Sequence, residues 1–253
     1  MTAVARRARR RRARFSVEQL PFDDRACDAL PDDERRLLSQ HWLRRCRSEA
    51  RISEAFHKMQ PFLHAVGADP IVLELLELAS EDELRHSGIC LKLAEHYAGA
   101  RLAPPATGDT PLPQFGCADE RLEAALLVAG TCCINETLAT AWLQLSVTSA
   151  HTPLSKAAHR AHLRDEIDHA RLGWAHLGSA ALDGELRDAV ADCVPRLLAA
   201  NLPRWLTTDP LLPASGIAGH GVAPAAVIAR AMQRAVDELL LPGFAHVGVH
   251  LRP

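Results

Sequence analysis

The sequence is poor in the features that build β-sheets, membrane spans and disulfide frameworks. Its 253 residues include one Tyr, four Trp and six Phe, and runs of alternating Val, Ile and Thr are absent. No uninterrupted apolar run reaches the roughly 18 residues that a membrane span requires. The seven Cys are odd in number and form no C-x-x-C pair, which argues against a disulfide framework or a four-cysteine iron site. Ala, Leu and Arg dominate instead, so the predicted fold class is all-α.

Positive charge is concentrated at the start of the chain. Residues 1–14 carry seven Arg and no acid, which leaves 22 basic against 31 acidic residues elsewhere. Such an arm can contact nucleic acid, but it is more often solvated, so nucleic acid is not expected as a partner. We predict a disordered basic arm at 1–15, one helical domain at 16–253, a reduced cytoplasmic compartment and no membrane partner.

Apolar periodicity and breaker residues predict four long helices followed by shorter ones. The long helices are expected at about 31–66, 69–99, 119–150 and 153–182, and together they form a core at about 31–182. The stretch 100–118 contains four Pro and reads as a long connection. Beyond the core we expect two or three shorter helices, at roughly 184–206 with an interruption near Pro195 and at 223–241. The loop at 209–222 between them could act as a lid.

Residues of metal-ligand type interrupt the apolar stripe in the middle of each long helix. Successive residues on a helix are about 100° apart, so His162, Glu166 and His169 project from one face. A buried carboxylate without a partner is costly, and a lone inward Glu is more often partnered by an Arg than by a metal. Six or seven such residues on four helices favour a dinuclear metal site instead. The candidate ligands are Glu49, Glu83, His86, Glu136, His162, Glu166 and His169.

The spacings place these residues at one height in a bundle. Glu49 lies 18 residues before Gly67 and Glu83 lies 16 after it, so an antiparallel hairpin would align them. Glu136 and Glu166 are each 15 residues from His151, which repeats the arrangement in the second hairpin. The 100–118 connection can reach roughly 63 Å, enough to return along a helix about 50 Å long. We therefore predict a ferritin-like four-helix bundle with one long crossover.

Two Asp residues are placed to orient the ligand histidines. Asp82 and Asp165 each stand four residues before a ligand His, and each could accept the second ring N–H of that His or of the other one. The mixed carboxylate and imidazole set suits iron or manganese better than zinc. His162 has alternatives, because it could instead line a pocket or relay protons.

These residues resemble the ferritin-like di-iron carboxylate proteins, and the additional His162 resembles the extra histidine of the p-aminobenzoate N-oxygenase family. The resemblance covers about residues 35–180. It implies two iron ions, or manganese, bridged by Glu83 and Glu166. It further implies that Glu49 and His86 complete one iron, while the other iron is completed by Glu136, His162 and His169. Glu83, Glu166 and His162 would carry the catalysis.

The activity implied by the resemblance is activation of O2 to oxidise a small-molecule substrate, with N-oxygenation of an amine favoured and an electron donor required. The alternatives are a di-iron carbon hydroxylase or desaturase, a non-enzymatic iron-binding or peroxide-scavenging ferritin-like protein, and a metal-stabilised scaffold. A homodimer stays open. A tyrosyl-radical role is disfavoured, because Tyr97 is the only tyrosine and lies about 16 Å along the helix from His86.

Overall fold

The computed structural model of the chain describes residues 17–207 and 209–252, and helix is the only extended regular structure within those ranges. Short 3-10 turns occur at Val17–Gln19 and Ala26–Ala29, and a π-helical turn at Val236–Leu240 joins the last two helices. The all-α prediction is confirmed, whereas the predicted arm at 1–15 lies outside the described residues. The helices are α1 (Asp32–Ala65), α2 (Pro70–Ala98), α3 (Glu120–Ser149), α4 (Pro153–Leu177), α5 (Gly184–Asn201), α6 (Pro203–Leu206), α7 (Ala225–Ala235) and α8 (Leu241–His246).

The ends of α2 show why the sequence predicts this helix well. The Asp69 side chain accepts a hydrogen bond of 2.8 Å from the backbone N–H of Ile71, and Pro70 fills the first helical position. At the other end Gly99 adopts a φ of 65°, the left-handed conformation that ends a helix at low cost for glycine. Both termini therefore fall within a residue of the predicted bounds.

Two predictions about the helices after α3 are wrong, namely the end of α4 and the interruption near Pro195. α4 ends at Leu177 rather than near residue 182, and Asp183 begins α5 by accepting a hydrogen bond of 3.0 Å from the Leu186 N–H. α5 also continues through Pro195 without the predicted interruption. Val194 and Leu197 of α5 are buried in the apolar core, and this packing holds the helix together across the proline.

Side-chain hydrogen bonds establish the directions of the long helices. Between α1 and α2, Ser39 Oγ donates to Ala94 O at 2.9 Å and Ser53 Oγ donates to Ser80 O at 2.8 Å, so residue numbers rise on one helix as they fall on the other. The contacts between α2 and α4 have the same descending order: Cys90 with His162, His86 with Asp165, and Asp82 with His169.

The connection between α2 and α3 runs the length of the bundle. α3 and α4 are joined by the short turn at 150–152 and are antiparallel, and α4 is antiparallel to α2. α2 and α3 consequently run in the same direction, and residues 99–119 carry the chain back from one end to the other. Lys58 on α1 fixes this segment by donating to Asp109 Oδ1 and to Thr110 O, each at 2.9 Å.

Two apolar clusters lie on either side of a polar layer in the four-helix core. One cluster contains Trp42 and Leu93, and the other contains Phe56 and Leu76. A third cluster joins the later helices to α3 and α4, with Phe244 and Met232 among its fully buried members. The polar layer between the first two clusters therefore has little access to water from the ends of the bundle.

α3 is the most apolar of the long helices and contains an irregular segment. By length and composition it alone among the described helices could cross a membrane, but 72% of its apolar window is buried inside the fold, as in core helices of soluble proteins. Residues Ala129–Asn135 form a π-helical segment in its middle. Such segments hold an extra residue, shift the helical phase and are frequent at functional sites.

Candidate metal centre

Two groups of buried ligand-type side chains meet in the polar layer and have two carboxylates in common. Within each group, one potential ligand atom per residue lies within 4.8 Å of all the others, close to the spacing that ligands about 2 Å from one ion allow. Glu83 and Glu166 belong to both groups. The first group is Glu49, Glu83, His86 and Glu166, and the second is Glu83, Glu136, Glu166 and His169.

The carboxylate oxygens and imidazole nitrogens of this centre are arranged better for binding metal ions than for hydrogen bonds with one another. Glu83 Oε2 and His86 Nδ1 are buried and make no hydrogen bond. His169 Nδ1 lies 3.0 Å from both Glu83 Oε1 and Glu166 Oε2, at the carboxylates that the two groups share. Buried polar atoms are rarely left without partners, so this set of oxygens and nitrogens suits divalent cations.

Asp82 and Asp165 each contact the candidate ligand histidine on the opposite helix of the α2–α4 pair. Asp165 Oδ2 lies 3.4 Å from His86 Nε2, and Asp82 Oδ2 lies 3.4 Å from His169 Nε2. Arg85 joins the two carboxylates, donating from Nη1 to Asp82 at 2.7 Å and from Nη2 to Asp165 at 2.6 Å. The crossed arrangement is one of the two that the sequence predicts. It directs Nδ1 of each ligand histidine toward the shared carboxylates.

Electrostatics show how the metal-free chain tolerates four carboxylates in one place. Burial and the nearby charges of Glu166 and Glu83 raise the pKa of Glu136 well above its usual value. Burial alone would raise the pKa of Glu83 and Glu166, but contacts with His169 and His86 keep both below the usual value. Burial opposes imidazolium, yet the surrounding carboxylates raise the pKa of both histidines well above the usual value. Protons thus carry positive charge that bound cations would supply.

Glu49 differs from the other carboxylates because it has an Arg partner. Arg45 lies one turn earlier on α1 and donates from Nη2 to Glu49 Oε1 at 2.5 Å. Burial nevertheless outweighs that attraction and raises the pKa of Glu49 to about 7. Glu49 therefore has the Arg partner that is common for a lone inward Glu, and it also belongs to the first metal group.

A close helix contact brings Glu136 to the centre. The π-helical segment of α3 ends at Asn135, directly before Glu136. It passes so near α4 that a Cβ on Gly173 would be 2.7 Å from Cys133 Sγ and 2.8 Å from Cys133 N. Only glycine permits that approach, which sets Glu136 opposite His169, one turn before Gly173 on α4.

The structure places His162 in a different group of candidate ligands from the one that the resemblance implies. His162 is fully buried, but its ligand atom joins Glu49 and Cys90 rather than Glu136 and His169. Its ring centroid is 4.4 Å from that of His86, and Nε2 is 3.6 Å from Cys90 Sγ. The physical reason is the antiparallel register of α2 and α4, in which residue 162 lies opposite residue 90, about two turns along the bundle from Glu136 and His169.

Two further histidines of α4, His159 and His176, do not belong to the metal groups found among the described residues. His159 Nδ1 donates to Ser155 O at 2.8 Å, and its ring is 5.1 Å from that of Trp42. Burial lowers the pKa of His159 to about 3 and that of His176 to about 4. Both are therefore neutral core residues. Glu54 lies on the polar face of α1 and is paired with Lys58 at 2.7 Å.

A cavity of about 670 Å³ opens onto the four carboxylates of the centre. Its volume is in the range of small-molecule sites. The walls come from α1, α3, the 99–119 connection and the C-terminal part of the chain. Trp142 and Leu143 line the cavity from α3, and the C-terminal part contributes Leu197, Arg204, Trp205 and Leu212. The lining is mainly apolar, with the guanidinium groups of Arg45 and Arg204 as its cationic members.

The predicted lid segment forms part of this cavity wall through Asp209, Leu212, Gly221 and Val222. It is fixed at one end by Asp209, whose Oδ2 accepts from His41 Nδ1 at 3.2 Å and from Arg44 Nε at 2.9 Å. At the other end His220 Nδ1 and the Tyr97 hydroxyl share a hydrogen bond of 2.9 Å. A lid motion stays a prediction.

Three features of the site were missed by sequence reasoning. The Arg45–Glu49 contact is predictable from the sequence, because Arg and Glu four residues apart on a helix are neighbours. Cys90 lies one turn after His86 on α2 and is not among the predicted ligands. The π-helical segment, and with it the cavity at Gly130 and Thr131, had no signal in the apolar periodicity.

Comparison of the chain with protein families, curated proteins and solved structures finds no match. The resemblance to the N-oxygenase family is therefore not supported by an independent relative. What the described residues do establish is an all-helical fold with buried Glu and His clusters that could hold metal ions. Function has to be argued from this site, because a fold by itself does not specify one.

Proposed function

We propose that the protein is a ferritin-like di-iron oxygenase that uses O2 to oxidise a small metabolite, with N-oxygenation of an amine as the favoured reaction. The observation that carries the proposal is the sharing of Glu83 and Glu166 between two ligand groups. Two carboxylates common to two groups are what a pair of adjacent ions requires. Carboxylate-rich sites with few imidazoles favour iron or manganese over softer ions.

The ligand assignment follows from the two groups. Glu83 and Glu166 would be shared by both ions, Glu49 and His86 would complete one ion, and Glu136 and His169 would complete the other. Two Fe(II) ions held this way would supply the electrons and the binding position for O2. With only four protein ligands for each ion, coordination positions stay open.

The protein residues around the pair prepare the site for oxidation chemistry. Asp82 and Asp165 hold the Nε2 protons of His169 and His86, so each imidazole keeps one orientation and presents Nδ1 to the metal. Arg85 links the two Asp residues and offsets their charge. The apolar clusters on both sides exclude bulk water, which protects a reactive centre from side reactions.

The cavity supports an enzyme rather than an iron store. It leads from four ligand carboxylates to an apolar wall that includes Trp142 and Trp205, as a site for an organic molecule does. A substrate in this space would have its reacting atom beside the metal pair. The electron donor is proposed to be external, since the seven cysteines are free thiols and include no C-x-x-C motif.

The test begins with anaerobic loading of the metal-free protein with Fe(II), followed by exposure to O2. The expected result is about two bound Fe per chain, an O2-dependent optical change and, with an electron donor present, addition of one oxygen atom to an arylamine probe such as p-aminobenzoate. Glu83→Gln and Glu166→Gln should abolish the O2 reaction, whereas the matched control Glu54→Gln should keep it.

Three outcomes distinguish the alternatives. One or no tightly bound Fe per chain would contradict the dinuclear centre. Two bound Fe with peroxide consumption but no oxidised organic product would favour the iron-binding or peroxide-scavenging reading. Hydroxylation or desaturation of carbon in a metabolite panel, without N-oxygenation, would retain the di-iron oxygenase and reject the favoured reaction.

A further inference from the structure

The third buried ligand group lies beside the proposed metal pair and contains a thiol. Glu49, Cys90 and His162 each offer one ligand atom, and these atoms lie within 4.8 Å of one another. All three residues are buried, and Cys90 and His162 are completely so. The group combines one oxygen, one sulfur and one nitrogen donor, a different chemistry from the two carboxylate-rich groups.

His162 is oriented as a ligand by its own helix. Its Nδ1–H donates to Ala158 O at 2.9 Å, since a carbonyl can only accept. The second nitrogen, Nε2, therefore carries a lone pair in the neutral ring. The lone pair lies beside Cys90, with Nε2 3.6 Å from Sγ.

That separation matches shared coordination of one ion. Zinc–sulfur bonds are about 2.3 Å and zinc–nitrogen bonds about 2.0 Å, so two such ligands at a tetrahedral angle are roughly 3.6 Å apart. A thiol donating to imidazole has a similar separation, and the experiment below separates the two arrangements. Burial raises the pKa of the Cys90 thiol well above its usual value and Arg45 opposes that rise, so the thiol keeps its proton until a bound cation displaces it.

We infer that Glu49, Cys90 and His162 form an additional metal position, which binds a borderline divalent ion such as Zn²⁺ through carboxylate, thiolate and imidazole. Thiolate ligands select softer ions than carboxylates do, so this position and the proposed pair differ in metal preference. Binding displaces the thiol proton to solvent, and no electron transfer is involved. A water molecule can take the fourth tetrahedral place.

The first experiment is an anaerobic titration of the metal-free chain with Co²⁺, followed by ultraviolet and visible absorption. The wild-type chain should develop a thiolate-to-cobalt charge-transfer band and the intense visible bands of tetrahedral cobalt. Cys90→Ser should lose the charge-transfer band. Cys46→Ser is the matched control, because Cys46 is a buried neighbour that contacts Ser87 and lies outside the group, and it should keep the band.

A second measurement needs no variant and guards against a folding defect in Cys90→Ser. X-ray absorption at the zinc edge of the wild-type chain loaded with one Zn²⁺ should show a sulfur neighbour at about 2.3 Å. Absence of that neighbour, or a charge-transfer band that persists in Cys90→Ser, would overturn the inference. Neither readout depends on O2, so a chain that shows the thiolate signals but no oxygen reaction would reject the proposed function alone.

Discussion

Replacing Glu49 by Gln should stabilise the metal-free protein while weakening its metal binding. Glu49 is 5% exposed and lies near Glu83 and Glu166, so its ionised form is disfavoured even with Arg45 beside it. Gln has nearly the same shape and no charge to desolvate. The change therefore removes an electrostatic penalty that the folded chain carries only when no cation is bound.

The magnitude follows from the pKa of Glu49. Folding raises it from 4.5 to about 7, and that value already contains the attraction to Arg45. A tenfold change in an ionisation constant is worth about 1.4 kcal/mol, so the penalty at pH 7 is roughly 3 kcal/mol. Because the folded pKa of an acid is raised, the penalty falls toward zero below pH 4.5, is below about 1 kcal/mol at pH 5, and is complete only above pH 7.

Urea unfolding followed by circular dichroism, with a chelator present, measures this directly. At pH 7 the metal-free Glu49→Gln protein should be more stable than wild type by up to about 3 kcal/mol, and at pH 5 the difference should nearly vanish. Addition of metal should reverse the order, because the variant binds it less tightly. Glu54→Gln, on the polar face, should show neither effect. A metal-free Glu49→Gln protein less stable than wild type at pH 7 would refute the reasoning.

Three further changes test other parts of the structure. Gly173→Ala places a Cβ against the backbone of Cys133 and should destabilise the protein by about 1–3 kcal/mol in urea unfolding, so unchanged stability would contradict the close helix contact. Gly221→Ala should also lower stability, by about 1–2 kcal/mol, because φ is 81° there and the new methyl group would meet the His159 ring. Ala139→Trp fills the cavity one turn after the Glu136 ligand. It should leave the Fe content of the loaded protein unchanged but reduce arylamine oxidation by roughly 100-fold, and equal turnover would exclude this cavity as the substrate site.

The sequence predicts the long helices and their inward ligands because both depend on local signals. Glu49 and Glu136 each interrupt an apolar stripe, and Asp69, Gly99 and Pro153 mark helix ends through their own backbone preferences. The crossed Asp–His contacts are one of the two arrangements that the spacing predicts, and the register of the two facing helices decides between them. These features can be predicted from the sequence because they do not require knowledge of distant parts of the chain.

The remaining features depend on contacts between distant segments. The cavity combines α3 with the 99–119 connection and with Arg204 and Trp205, whose relative positions have no local signature. The group that His162 joins has no local signal, because helical spacing gives the direction of His162 on α4 but not which residues of α1 and α2 lie opposite it. The predicted end of α4 lies too late in the chain, because Asp183 before Gly184 is compatible with both a helix end and a helix start.

The π-helical segment gives α3 two differently phased halves. One extra residue in a turn rotates all later side chains by about 100°, so the face that Glu120–Val128 presents is not continued by Glu136–Ser149. Asn135 stabilises the wide turn by donating from Nδ2 to Gly130 O at 2.8 Å, and its Oδ1 accepts from Trp205 Nε1 at 3.0 Å. The position of the extra residue in α3 therefore shapes the cavity beside the candidate ligands as much as the lining side chains do. Moving that residue along α3 would reshape the cavity while leaving every ligand in the sequence.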